Sequence, residues 1–286
     1  MGEVWRARHR LLARPAAIKL IRNGAGSPEA RQRFEREAQA IAGLRSPHTV
    51  DLFDFGVADD GSFYYAMELL DGLDADALVR RFGPVPAERA VFLLRQVCHS
   101  LSEAQSRGLV HRDVKPANIF LCRYGEEVDF VKVLDFGIVR VSQEAGRGSV
   151  LTGEHSIHGT PAFMAPEQAL GDAALDARAD IYSLGCVAYW LLTGKLVFTA
   201  ESPAALLVQH IRATPTAPSA VTEVPIPPAL DEIVLACLAK DPADRPSSAR
   251  ELVRRFGEVE GVGAWTESRR REWWDRHRPA RPAASA

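Results

Sequence analysis

The stretch that decides the reading is HRDVKPAN, His111 to Asn118. Before it, Ala87 to Arg107 places Val91, Leu94, Cys98 and Leu101 on one helical face, and Gly108 is a natural C-terminal stop. After it come two β-prone runs, IFL at 119–121 and VKVL at 131–134, with a polar turn between them. VKVL runs directly into Asp135-Phe136-Gly137. Residues 138–158 carry Gly, Ser, Thr, His and Gln without periodicity, which predicts a long loop. Such loops inside compact domains are usually functional. The loop closes at Ala165-Pro166-Glu167. Working upstream, EVWRAR alternates, a turn falls near His9 to Arg14, and PAAIKLI carries Lys19 on an early strand. The next helix takes Ser27 as N-cap with Pro28 at its first position. Phe34, Ala38, Ile41 and Leu44 share one face of that helix, and Glu37 lies beside this stripe. TVDLFDFGVA, a turn at Asp59-Asp60-Gly61, and SFYYAMELL predict a hairpin that Asp71-Gly72 breaks. Each piece alone is weak. Their common order, each on a suitable element, is strong.

Composition sets the outer bounds. The chain has 286 residues, with Lys+Arg 35 and Asp+Glu 37, a formal charge of −2. That balance argues against a nucleic-acid binder working through a general basic field. A hydrophobic content of 47% is too high for a disordered chain. The length allows one large domain or two lobes. The longest mostly apolar run, Ile181 to Leu192, is too short to span a bilayer, and MGEVWRARHR has no apolar signal core. Arg6 spoils a myristoylation pattern at Gly2. Cys98, Cys122, Cys186 and Cys237 lack CxxC spacing, so a reducing, cytoplasmic setting is expected. Helices are expected at 176–193, 202–212, 228–239 and 247–257. WTESRRREWWDRHR, 265–278, reads first as a short helix docking its Trp residues, ahead of a segment binding nucleic acid or an acidic partner.

Taken together, the motifs resemble the eukaryotic-like (Hanks-type) bacterial serine/threonine protein kinases, over roughly residues 2–257. The resemblance implies an α+β, two-lobed fold: a small antiparallel β lobe with one helix over 1–70, a large mainly helical lobe over 71–257, and an extension with a flexible tail over 258–286. It implies transfer of the γ-phosphoryl of ATP to protein Ser/Thr hydroxyls. This chemistry needs positioning and charge neutralisation more than covalent help. Lys19 would contact the α- and β-phosphates, held by Glu37. Asp135 and Asn118 would hold Mg²⁺, with Mn²⁺ as the alternative ion, because hard cations take oxygen ligands. Asp113 would accept the substrate proton, and Lys115 would steady the transferring group. The adenine pocket would be formed by Val4, Ala17, Met67 and Phe120, with hinge backbone from Glu68 to Leu70 and Gly2 near the phosphates. Arg112 would pair with a phosphorylated loop residue, Thr152 first, then Ser149 and Ser156. Thr160 would bond Asp113 and Lys115. Asp180 would accept from the catalytic-loop backbone, and Glu167 would pair with Arg245. The implied partners are protein substrates and ATP, with no nucleic acid, no membrane span and no oligomeric state assigned.

One departure stands out. The family's phosphate-covering loop reads GxGxxGxV because its backbone wraps the phosphates closely. Only Gly2-Glu3-Val4 matches it here, so the first strand and two glycines are expected to be missing, either because the start is assigned too late or because the fragment is cut there. The competing readings are a non-catalytic, pseudokinase-like scaffold and, third, a small-molecule phosphotransferase.

Overall fold

Alternating and β-branched residues near the N-terminus pair as the sequence pattern requires. In the computed structural model, which describes residues 3–21, 28–136, 161–172 and 175–277, strands β1 (Glu3–Arg8) and β2 (Pro15–Ile21) form an antiparallel pair. Strands β3 (Leu52–Val57) and β4 (Phe63–Glu68) form the expected hairpin, closed by the Ala58 amide donating to Ser62 O at 2.8 Å. The four described strands run β1-β2-β4-β3, and this register sets Lys19 opposite Tyr65 and Ala17 opposite Met67.

Helix α1 (Pro28–Ala42) lies on this sheet; its expected N-cap, Ser27, falls outside the described residues. Phe34 stacks on Phe63 with ring centres 4.1 Å apart and meets Tyr65 at 4.8 Å. Burying such a ring contributes about 1.5–3 kcal/mol. Phe34 and Ala38 belong to the small-lobe core, whereas Ile41 and Leu44, one turn further on, join the large core. The stripe read from the sequence therefore bridges two cores.

The hairpin break at Asp71-Gly72 is also the start of a new strand. Strand β5 (Gly72–Asp74) pairs with β6 (Ile119–Tyr124), which pairs with β7 (Glu127–Val133). A Cβ at position 72 would sit 1.9 Å from the Leu121 carbonyl oxygen, so only glycine permits this pairing. The β6–β7 hairpin is longer than IFL and VKVL suggested, because Tyr124 still pairs with Glu127 and Gly125 takes the left-handed turn, φ 59°. Asp74 caps α2 (Ala75–Phe82) by accepting from the Ala77 amide at 2.7 Å.

The large lobe is built on α3 (Ala87–Ser106) and α5 (Arg178–Thr193), with the short α4 (Pro166–Leu170) before α5. From Ala179 to Thr193 every residue of α5 is buried, so this helix shows no amphipathic stripe. Helices α6 (Pro203–Arg212), α7 (Pro228–Cys237) and α8 (Ala249–Gly257) complete the lobe. All four cysteines are free and buried. Among the described residues no helix is long and apolar enough to cross a membrane.

The Trp/Arg-rich extension forms α9 (Glu267–His277) and packs on β7. Its anchor is Asp129, wholly buried and left-handed at φ 56°. Arg89 donates to both its oxygens, at 2.7 and 3.0 Å, and the indole N–H groups of Trp265 and Trp274 donate at 2.8 and 2.6 Å. The Arg89 guanidinium also lies 3.8 Å from the Trp273 ring centre. Arginines that made this segment look like a polyanion site are engaged within the chain: Arg269 pairs with Glu88, Arg271 with Glu267 and Arg276 with Glu272, and Arg270 covers Phe92.

Candidate active site

After α3 the chain turns through His111, Arg112 and Asp113. Arg112 is left-handed at φ 65°, a costly conformation for a side chain of this kind. The buried Asp180, in the first turn of α5, holds it there. Its carboxylate accepts from the His111 amide at 2.7 Å and the Arg112 amide at 2.8 Å. Burial pushes the Asp180 carboxyl above its ordinary pKa, while His111 and the two N–H bonds pull the other way. The His111 ring accepts from the Asp113 amide through Nδ1 at 3.2 Å and donates from Nε2 to Leu134 O at 2.9 Å. Two bonds thus fix its tautomer and tie this loop to the end of β7.

The Asp113 carboxylate, 23% exposed, receives two donors from the described residues. Lys115 Nζ lies 2.7 Å from Oδ2 and Asn118 Nδ2 lies 3.0 Å from the same oxygen. Asn118 also donates to Asp113 O at 2.8 Å. Pro116–Asn118 forms a single 3₁₀ turn, which folds Asn118 back over Asp113 before β6 begins.

The Leu134 amide donates to Asn118 O at 2.8 Å, so Asp135 sits beside this turn. Asp135 is itself left-handed, φ 52°, and Phe136 packs 4.4 Å from the His111 ring. From β2, Lys19 Nζ reaches Asp135 Oδ2 at 2.5 Å. Tyr65 closes the back of the site. Burial raises its phenol pKa strongly, and the charges of Glu37 and Asp135 raise it further. Glu37 on α1 and Asp135 thus both lie within electrostatic reach of this hydroxyl. A small cavity here is lined by Lys19, Leu52, Tyr65, Met67, Asp135 and Phe136 among others.

The remaining candidates occupy defined places. Ala17 is buried opposite Met67, and Val4 lies on β1 opposite Lys19, 58% exposed. Glu68 ends β4; its amide donates to Asp51 O at 3.1 Å, and its carboxylate takes the buried Lys132 Nζ at 2.7 Å. Leu70 lies half-buried between β4 and β5. Phe120 lies on β6 between Asp74 and Lys132, in the second sheet. Arg245 grips Glu167 through two bonds, 2.7 and 2.8 Å, and donates to the carbonyls of Arg178, Ala239 and Lys240. Gly2, Ser149, Thr152, Ser156 and Thr160 lie outside the described residues.

Two members of this network were not singled out from the sequence. His111 holds three segments together. Gln168 on α4 donates to Arg112 O at 3.0 Å. Ala165 has no side-chain acceptor, so the start of α4 carries no capping-box signature that could have drawn attention to Gln168.

The sequence signature of the protein kinase domain matches residues 1–256. The chain belongs to the protein kinase domain family. This kinase domain is 39% identical to the serine/threonine-protein kinase pkn3 of Myxococcus xanthus over 251 residues, covering 87% of this chain and 46% of that one. It is 40% identical to the serine/threonine-protein kinase PknB of Mycobacterium tuberculosis over 256 residues, covering 88% and 40%. The chain thus spans less than half the length of these two relatives. Among solved structures it resembles the kinase domain of Mycobacterium tuberculosis PknI, with TM-score 0.70, 30% identity and 91% of each chain covered. It also resembles Rad53 residues 1–466 in complex with AMP-PNP, with TM-score 0.72 and 26% identity, over 89% of this chain and 61% of that one. The two-lobed α+β fold expected from the motifs is the kinase fold.

Proposed function

We propose that this chain is an ATP-dependent serine/threonine protein kinase, transferring the γ-phosphoryl of ATP to hydroxyls of protein substrates. The observation that carries this reading is the convergence of Lys19–Asp135 with the Lys115–Asp113–Asn118 cluster. The relatives' names support the substrate class, and the AMP-PNP complex of Rad53 supports a nucleotide in the cleft. Residues 1–70 act as the small lobe, 71–257 as the large lobe and 258–286 as the extension. The four free thiols support a cytoplasmic setting.

In this reading the Asp113 carboxylate orients the acceptor hydroxyl and takes its proton, with Asn118 and Lys115 fixing its position. Lys115 also places a cation beside the transferring group. Lys19 supplies positive charge to the nucleotide's phosphates, with Glu37 holding the lysine. Asp135 and the amide oxygen of Asn118 are hard oxygen donors, few in number. That suits Mg²⁺, which is completed by substrate phosphates and not by a protein cage. Among the described residues no cluster of three His, Cys, Asp or Glu side chains competes as a metal site. When bound, Mg²⁺ would neutralise phosphate charge. Met67 and Ala17 serve the adenine pocket, and Thr152, Ser149 and Ser156 are the candidate autophosphorylation sites. Among the described residues no geometry favours the non-catalytic scaffold.

The test is incorporation of ³²P from labelled ATP by the chain and by Asp113→Asn. The variant should lose activity by about a hundredfold or more, because general-base help is worth that much. Its melting temperature should stay unchanged. Equal incorporation by both proteins overturns the reading.

A further inference from the structure

We propose that Gln168 is a positioning residue for Asp113, acting through the Arg112–Asp113 peptide. The inference rests on the kinase reading. The peptide unit before Asp113 is held at both ends. Its oxygen accepts from Gln168 Nε2 at 3.0 Å, and its N–H donates to His111 Nδ1 at 3.2 Å. The two preceding units are held by Asp180, which accepts from the His111 and Arg112 amides. Without such clamps a left-handed arginine at φ 65° would relax toward common backbone angles. Relaxation there rotates the plane from which the Asp113 side chain springs. A shift of about 1 Å in a catalytic group can cost about a hundredfold in rate.

Gln168 is suited to this work by both ends of its amide. It is buried, and its Oε1 accepts from the Ala165 amide at 3.2 Å, an N–H that α4 leaves without a helical partner. The same group therefore finishes the start of α4 and reaches across to the catalytic loop. Next to it, Glu167 is gripped by Arg245, which fixes α4 against the large lobe. Through Gln168 the seating of α4, directly after Pro161–Phe163, is transmitted to the backbone beside Asp113.

The two ends can be separated by substitution. Gln168→Glu keeps an acceptor for the Ala165 amide but aims a carboxylate oxygen at the Arg112 carbonyl. Gln168→Met keeps length and removes both bonds. Each variant is compared with wild type for kcat and KM toward ATP in peptide phosphorylation, for melting temperature, and for amide hydrogen exchange across residues 110–116. We expect both variants to lower kcat by about tenfold or more, with KM for ATP within about twofold of wild type. We expect exchange in the 110–116 peptide to quicken by about tenfold, while α5 stays protected. A merely helix-capping role predicts a different pattern: Gln168→Glu keeps wild-type kcat and only Gln168→Met suffers, and that pattern overturns the inference. Unchanged exchange at 110–116 in both variants also overturns it, and this arm needs no turnover. If wild type and Asp113→Asn incorporate phosphate equally, the kinase reading fails, while the exchange arm still decides whether Gln168 holds the loop.

Discussion

Two carboxylates, Asp113 and Asp129, sit at the centres of two polar clusters, and the contrast between them separates chemistry from architecture. Asp129 has no exposed surface and four strong donors, two to each oxygen: the Arg89 fork and two indole N–H groups. Every lone-pair direction of that carboxylate is accounted for. Asp113 keeps 23% of its side chain exposed and is steadied by a lysine and an amide at one oxygen. A carboxylate saturated by fixed donors can only hold things together. A carboxylate that is steadied but accessible can receive a proton from a visiting hydroxyl. The Asp129 cluster should therefore respond to mutation through stability, and the Asp113 cluster through rate.

The largest stability effect should come from Asp129→Ala. It strands the Arg89 cation, 2% exposed, together with two buried indole N–H groups. Breaking a buried pair on one side costs about 3–5 kcal/mol. Urea unfolding should show that loss, while kcat per folded molecule stays at the wild-type value. A folded Asp129→Ala protein with depressed kcat would break the contrast, because it would tie the extension to the chemistry.

A smaller effect should appear as a pH dependence at His210, a buried histidine on α6 whose ring meets the Tyr182 hydroxyl at 2.9 Å. Burial, then the Lys240 charge, hold its pKa down at about 4, with a bond to the Ala162 backbone opposing. In the unfolded chain an imidazole titrates near 6.5. Between those two values the unfolded chain binds the additional proton, so stability falls as pH falls from about 6.5 to about 4. The expected loss is about 2–3 kcal/mol across that window. His210→Phe should flatten that part of the profile, measured as the difference in urea midpoint between the two proteins from about pH 4 to about pH 7. Parallel profiles would show that His210 titrates alike in the folded and unfolded chain, and that burial does not hold its pKa down.

The two clusters also differ in how far they could be read from the amino-acid sequence. Asp113, Lys115 and Asn118 lie within one short run, and a 3₁₀ turn folds that run onto itself. Contiguity makes such chemistry visible. The α1 face was equally legible, since Phe34, Ala38 and Ile41 follow the helical period and all are buried. Asp129, in contrast, meets Trp265 and Trp274 across separations of 136 and 145 residues. No local pattern records that meeting, although the tryptophans themselves announced a docking helix. Strand β5 escaped notice because three residues are too few for periodicity, and its decisive residue, Gly72, reads locally as a breaker. Phe120 carries no local mark of its place either: only the pairing of β6 with β5 and β7 sets it in the second sheet, between Asp74 and Lys132. Gln168 was passed over because its partner is a backbone oxygen, which carries no sequence signal.

The finest test of the contrast is Trp274→Phe. Trp274 is almost fully buried, so its ring contributes packing as well as a hydrogen bond. Phenylalanine keeps much of the apolar surface and removes only the donor, 2.6 Å from Asp129 Oδ1. That oxygen retains Arg89 at 2.7 Å, so the carboxylate is not left unpaired. The expected loss is therefore close to that of one charge-assisted hydrogen bond, about 1.5–3 kcal/mol, at the lower end because the guanidinium compensates. In an Arg89→Met background the same substitution should cost more, since the indole would then be one of the last donors to a buried charge. A double-mutant cycle by urea unfolding measures that coupling. Additive losses would mean that Trp274 acts through its ring alone, and that Asp129 is saturated by geometry without depending on each donor.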